Sequence, residues 1–165
     1  MDDLWALSDV VGARLKARGE TIAVAESSTG GLLSAGLLSV GGASVYYLGG
    51  AVVYTLKARQ ALLGITPEAM AGLRASTEPY ALLLARTVRE RFGATWGLAE
   101  SGASGPTGNR YGDAAGHSCI ALVGPMELSI TLETGVSDRR ANMQAFAASA
   151  LDLLGRALDD LAQPI

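Results

Sequence analysis

A short apolar run that breaks into a polar, glycine-rich elbow and continues as a helix is the feature that most narrows the folds open to this chain. Thr21 to Ala25 is such a run, Glu26-Ser27-Ser28-Thr29-Gly30-Gly31 is the elbow, and a helical pattern follows through Val40. Strand, elbow and helix in that order belong to α/β architectures, in which helices cover a largely buried sheet.

The rest of the chain extends the pattern. Between Asp3 and Arg18, Leu4, Leu7, Val10, Val11 and Leu15 form the stripe of an amphipathic helix, with Gly19 placed as its C-cap. Gly49 to Thr55 is rich in β-branched and aromatic residues and is expected to be a buried strand ending near Thr55. Thr66-Pro67-Glu68 and Thr77-Glu78-Pro79 each set a capping residue before a proline, which predicts two helices, the second reaching Phe92. Ala94 to Ala99, Ile120 to Val123 and Leu128 to Leu132 complete the strands, and a last helix covers about Asp138 to Leu161. Ser101 to Gly116, with five glycines in sixteen residues, is expected to be a long irregular loop. The expected fold is a three-layer α/β/α sandwich around one mixed sheet, a single domain over residues 1–165 with no interdomain linker or internal repeat.

Composition excludes several function classes. At 165 residues, 49% hydrophobic and 18% charged, the chain can bury a full core, which rules out disorder. A net charge of −3 without long single-sign runs provides no positive field for a nucleic acid. One histidine, His117, and one cysteine, Cys119, do not make a zinc site of ordinary ligation, nor an internal disulfide. Met1-Asp2-Asp3 is not a basic, apolar signal, and no run approaches the roughly 18 to 20 apolar residues of a membrane span. A cytoplasmic location, away from membranes, is the resulting expectation. The apolar composition is compatible with a homodimer that buries a helix face.

Ligands of open α/β sheets sit outside the carboxyl ends of the strands, which draws the Glu26–Gly31 elbow and the Ser101–Gly116 segment to one crevice. Thr29-Gly30-Gly31 opens a helix whose unpaired N–H groups are suited to a phosphate or carboxylate, or are simply capped. Glu26 and Glu100 either position ligand hydroxyls or bond nearby backbone N–H groups. Neither a GxxxxGK[ST] loop nor a GxGxxG turn is present. His117 is expected on the surface of a strand, and Cys119 on the same face as a small core residue.

Ala25-Glu26-Ser27-Ser28-Thr29-Gly30-Gly31 resembles the AESCTGG segment of the CinA C-terminal domain family, the nicotinamide mononucleotide deamidases also called PncC. Gly42-Ala43-Ser44 is similar to that family's GSS, Gly50 to Tyr54 to its GxVxY strand, and Leu62-Leu63-Gly64-Ile65 to its LLGV. Ser101-Gly102-Ala103-Ser104-Gly105-Pro106 resembles TGIAGP, and Asp138-Arg139 resembles the GDR that opens the final helix. The resemblance runs from about Leu4 to Leu154 and implies hydrolysis of the nicotinamide mononucleotide carboxamide to nicotinic acid mononucleotide and ammonia, in pyridine nucleotide recycling, with no metal or other cofactor. Longer relatives carry a further N-terminal domain, for which 165 residues leave no room.

Carried over by position, the resemblance implies Ser44 as nucleophile, Tyr54 as the residue that orients or relays its proton, and Arg59 at the position of a lysine base. It implies ligand contacts from Glu26, Ser27, Thr29, Gly30, Gly31, Ser101, Gly102, Gly105 and Arg139. Arg59 is the main departure, because a guanidinium stays protonated and does not accept the serine proton. Lys57 lies two positions away, pointing elsewhere if the segment is helical. Arg110 and Tyr111 replace residues of the family's DGGxxxxKPVG loop, and Met143 replaces a second arginine of the last helix. A catalytically silent binder of a nucleotide or of a protein partner is therefore the alternative to the amidase.

Overall fold

The computed structural model describes residues 1–161. Helix α1 (Asp2–Arg18) leads into β1 (Ile22–Glu26), α2 (Leu32–Ser39), a single 3₁₀ turn (Ala43–Val45) and β2 (Tyr47–Val52). There follow α3 (Leu56–Leu63), α4 (Glu78–Phe92), β3 (Trp96–Ala103), β4 (His117–Val123), β5 (Glu127–Glu133) and α5 (Arg139–Asp160). The strands form one mixed sheet in the order β2-β1-β3-β4-β5. β1 runs parallel to both β2 and β3, while β4 is antiparallel to β3 and β5. This is the expected α/β/α sandwich.

The period-2 alternation of the central strands gives the sheet two unlike faces. Ile22, Val24, Trp96, Leu98, Ile120 and Leu122 point to one side and pack beneath α1, α2 and α5. Ala23, Ala25, Ala99, Cys119 and Ala121 point to the other and meet Tyr80, Ala81, Leu84, Ala85 and Val88 of α4. Large side chains hold three helices off one face, whereas small ones let a single helix settle close against the other. Gly97 marks the closest approach, since a Cβ there would stand 2.1 Å from the Ala85 carbonyl oxygen.

Three boundaries depart from expectation. β2 ends at Val52, and Thr55 instead caps α3 by accepting from Ala58 N at 3.1 Å. No helix follows Thr66-Pro67: Thr66 Oγ1 accepts from Ala69 N at 3.3 Å as a cap would, but Gly72 turns left-handed (φ 76°) and closes a run of turns. A cap starts a helix only where later residues have a surface to pack on, and residues 68–72 are largely exposed. β3 is longer than expected, because Ser101, Gly102 and Ala103 pair with Cys119, Ser118 and His117, so the irregular loop begins at Ser104.

The Gly97 contact yields a direct test. Gly97→Ala must push α4 away from the sheet or distort β3, so it is expected to lower stability by about 1–3 kcal/mol or more. A shift in the urea midpoint, with the slope unchanged, reads this out; an unaltered midpoint contradicts the close approach.

Candidate functional site

Two glutamates occupy the sheet face that is otherwise Ile22, Val24, Trp96 and Leu98, because Glu26, the last residue of β1, and Glu100, level with it within β3, continue the same alternation. Both are fully buried. A buried carboxylate persists only if its oxygens are saturated with donors, and the Glu26–Gly31 elbow supplies them. Glu26 accepts from Thr29 Oγ1 at 2.9 Å, from the backbone N of Gly31, Leu33 and Ser34 at 3.1, 2.8 and 3.0 Å, and from Ser34 Oγ at 2.6 Å. Glu100 bonds the backbone N of Ser27 and Thr29 at 3.2 and 2.9 Å, Ser118 Oγ at 3.1 Å, and Ser28 Oγ.

The first turn of α2 is therefore already occupied by the chain's own anion. The helix N-terminus expected to hold a ligand phosphate holds Glu26 instead. Glu26, Thr29 and Gly31 are structural members of the elbow rather than exposed ligand contacts, a correction to the expected set. Glu26 bonding the local backbone is the outcome the second of the two readings of that residue described.

Thr29 Oγ1 lies within hydrogen-bond distance of both carboxyl groups, 2.9 Å from Glu26 Oε1 and 3.1 Å from Glu100 Oε2. A hydroxyl has one proton to give, so a second proton on one carboxyl would complete the network. Burial pushes the Glu100 carboxyl above its ordinary value, against the opposing hydrogen bonds from Ser28, Thr29, Ser118 and Ser27.

The elbow carries three consecutive hydroxyls with different fates. Ser28 and Thr29 are buried and committed to the glutamates, whereas Ser27 is half-buried and its Oγ makes no hydrogen bond within the protein among the described residues. Ser27 opens on two cavities at the carboxyl ends of the strands. One, of about 340 Å³, is also lined by Tyr54, Ser76, Ser101, Gly102 and Asn109. The other, of about 270 Å³, is lined by Ser28, Gly30, Tyr54, Arg139 and Met143. A third, of about 220 Å³, joins Tyr54 and Arg139 to Gly102 and Gly105. Tyr54 lines all three, so they describe one branched cleft.

Arg139, one residue into α5, is fixed at the cleft by donating to the Gly105 carbonyl at 2.6 Å and to Tyr54 Oη at 3.2 Å. The Tyr54 hydroxyl, accepting from Arg139, keeps its own proton for a second partner in the cleft. Ser101 is buried, and its Oγ accepts from Ser76 N at 3.1 Å. Asn142 anchors the same wall, its amide donating to the carbonyls of Ser104 and Val136 at 2.8 Å each.

Two expected members lie elsewhere. Ser44 is exposed on the 3₁₀ turn before β2, while Tyr54 follows the end of that strand. Six residues of strand separate the two ends by roughly 17 Å, so the Ser44–Tyr54–Arg59 constellation is not formed in this chain. The motif match aligned Ser44 by position, but its orientation depends on which end of the sheet it occupies. Arg59 is buried in α3, where it donates to Tyr80 Oη at 3.4 Å and stacks over that ring at 5.5 Å. It lines a separate cavity beside the cleft, with Arg110 and Tyr111 shared between the two. Lys57, on the exposed side of α3, points away from Arg59.

His117 is not a surface residue as expected. It is buried with Nδ1 against Glu133 and Nε2 at 2.9 Å from the Ser76 carbonyl. Burial alone would lower its pKa, yet the bonds to Glu133 and Ser76 with the charge of Asp113 raise it on balance. Cys119 is buried beside it, as expected of a small core residue. Among the described residues no three of His, Cys, Asp and Glu gather in a metal-ligating group, and no helix is long and apolar enough to cross a membrane.

Residues 5–158 match the model of the CinA C-terminal domain. The chain belongs to the CinA C-terminal domain family. Within that family it is 36% identical over 164 residues to a CinA-like protein of Nostoc sp. (93% of this chain, 39% of that protein). It is 38% identical over 152 residues to a CinA-like protein of Salinibacter ruber (92% and 37%). The chain thus spans under two-fifths of the length of these relatives. Among solved structures, a CinA superfamily protein from Klebsiella pneumoniae superposes with a TM-score of 0.89 at 26% identity, covering 95% of this chain and 98% of that one. A competence/damage inducible protein from Agrobacterium tumefaciens gives 0.86 at 27%, covering 95% and 96%. The CinA-type sandwich therefore accounts for nearly the whole of this chain.

The Glu100 carboxyl makes stability depend on pH. Its folded pKa is raised, so the folded chain keeps a proton that the unfolded chain releases at the ordinary carboxylate value of 4.5. Its contribution is complete below that value and is lost as pH rises through the folded pKa. His117 has the same sign from its ordinary 6.5 upward, so the informative quantity is the difference between wild type and Glu100→Gln. Urea midpoints across pH 4.5 to 8 are expected to fall less steeply in the variant; equal slopes contradict a raised Glu100 pKa in the folded chain.

Proposed function

We propose that this CinA-type chain binds nicotinamide mononucleotide, or a closely similar anionic nucleotide, in the cleft around Tyr54, and that Ser27 is the hydroxyl that attacks its carboxamide. The observation carrying this reading is the division of labour in the elbow: Ser28 and Thr29 are bound to glutamates, and of the three elbow hydroxyls Ser27 alone presents an uncommitted oxygen to the cavities. A serine in this setting is suited to nucleophilic acyl transfer. Its oxygen adds to the carboxamide carbon, the C–N bond breaks, and the serine proton leaves with the nitrogen as ammonia. Water then cleaves the acyl-serine ester, releasing the carboxylate and restoring the hydroxyl. Tyr54, held by Arg139, is placed to hand the proton across, and the Arg139 guanidinium supplies positive charge for an anionic ligand.

A second reading has its own observation. Among the described residues the cleft is lined by no lysine, histidine or carboxylate, and the position of the family's lysine holds the permanently charged Arg59 in a neighbouring cavity. Loss of a general base costs about 10²- to 10⁴-fold in rate, so binding with little turnover is the alternative outcome.

Ammonia release from nicotinamide mononucleotide, measured beside calorimetric binding, separates the readings. Ser27→Ala is expected to reduce turnover by about 10²-fold or more, whereas Ser44→Ala leaves it unchanged. Binding without ammonia in wild type, with activity emerging in Arg59→Lys, selects the second reading. A large loss in Ser44→Ala with none in Ser27→Ala sinks the assignment of the nucleophile.

A further inference from the structure

We propose that the cavity around Arg59 is a binding site for a small organic anion, a carboxylate or phosphate monoester carried on a compact apolar body. Arg59 is more than nine-tenths buried (8% exposed), yet no carboxylate among the described residues pairs with it. Among the described residues its Nε is buried without a hydrogen-bond partner, and its one side-chain bond is the 3.4 Å contact to Tyr80 Oη. A buried guanidinium has five N–H groups to satisfy, and a charge left uncompensated in an apolar surround is among the costliest arrangements a fold carries. Stacking on the Tyr80 ring at 5.5 Å offsets part of this, but it accepts none of the hydrogen bonds.

The space beside the guanidinium has the shape of the missing partner. Arg59 lines a cavity of about 320 Å³ whose walls include Ile65, Met70 and Leu73 together with Arg110 and Tyr111. That volume falls in the range that holds small molecules. Among the described residues no aspartate or glutamate lines it. Arg74, at its rim, is already neutralised by Asp113 through contacts of 2.6 and 3.0 Å, so the unmatched positive charge of the cavity lies at Arg59 and Arg110. Two oxygens of a carboxylate or phosphate fit the guanidinium edge with two parallel hydrogen bonds. The aliphatic lining of Ile65, Met70 and Leu73 favours an apolar or aromatic body over a bare inorganic ion.

This site is separate from the Ser27 hydroxyl, and it stands whether or not the chain hydrolyses an amide. Leu56, Ala75, Arg110 and Tyr111 border both this cavity and the Ser27 cleft, so an occupant here is adjacent to a ligand bound there.

Isothermal titration with benzoate, phenyl phosphate and benzamide tests the idea on the unaltered protein. Benzamide has nearly the shape of benzoate without its charge. At least one of the two anions is expected to bind about tenfold or more tightly than benzamide, and the tighter one identifies the head group. Arg59→Gln is expected to remove that preference, while Ser27→Ala retains it, which keeps this outcome distinct from failure of the amidase reading. Equal affinity for benzamide and both anions, no binding of either anion at millimolar concentration, or a preference that survives in folded Arg59→Gln would overturn the proposal. The comparison of charged and neutral ligands on wild type holds even if the variant does not fold.

Discussion

The demand of two buried carboxylates for hydrogen-bond donors organises the functional end of this protein. Glu26 and Glu100 stand where the apolar alternation of β1 and β3 would place another valine or leucine, and neither has access to water. The cheapest local source of donors is backbone that is not yet helical together with short hydroxyl side chains, and the elbow from Ser27 to Ser34 provides both. Satisfying Glu26 consumes the first N–H groups of α2; satisfying Glu100 fixes Ser28, Thr29 and Ser118. What is left outward is the Ser27 hydroxyl, so the candidate nucleophile is defined by what its neighbours are obliged to do.

The sheet's second asymmetry sets where that hydroxyl can be reached. Alanine and glycine on the α4 side allow α4 close to β3, while α1, α2 and α5 stand on larger residues opposite. The cleft consequently opens at the strand ends, between the elbow, Tyr54, the Ser104–Gly105 turn and the start of α5. Arg139 bridges Gly105 and Tyr54 and so joins the last helix to the cleft wall.

Charge distinguishes the two cavities beside each other. In the Ser27 cleft the Glu26 and Glu100 carboxyl groups are turned inward, and the polar lining is hydroxyls, backbone, Asn109 and the guanidinium groups of Arg139 and Arg110. In the Arg59 cavity the imbalance is reversed: a buried cation has an unpartnered Nε and no carboxylate among the described residues to pair with. Electrostatic incompleteness of this kind is tolerated by a fold when a ligand completes it.

Much of this was legible in the sequence alone. The short apolar strands, the glycine elbow and the Thr77-Glu78-Pro79 and Asp138-Arg139 helix starts are legible because each is a local pattern. The family resemblance implied Ser27, Gly30 and Arg139 as ligand contacts, and these three line one branch of the cleft. Tertiary structure alone decided the rest. Ser44 and Tyr54 are ten positions apart in the chain, but an extended strand between them carries them to opposite ends of the sheet. The Thr66 cap began no helix, since nothing beyond it offered a surface to pack on. His117 was buried by Glu133 and Ser76, 16 and 41 positions away. Local pattern determines which residues can form an element; which way a side chain faces, and whether its charge is answered, is settled by residues far along the chain, because burial and hydrogen bonding are properties of the packed whole.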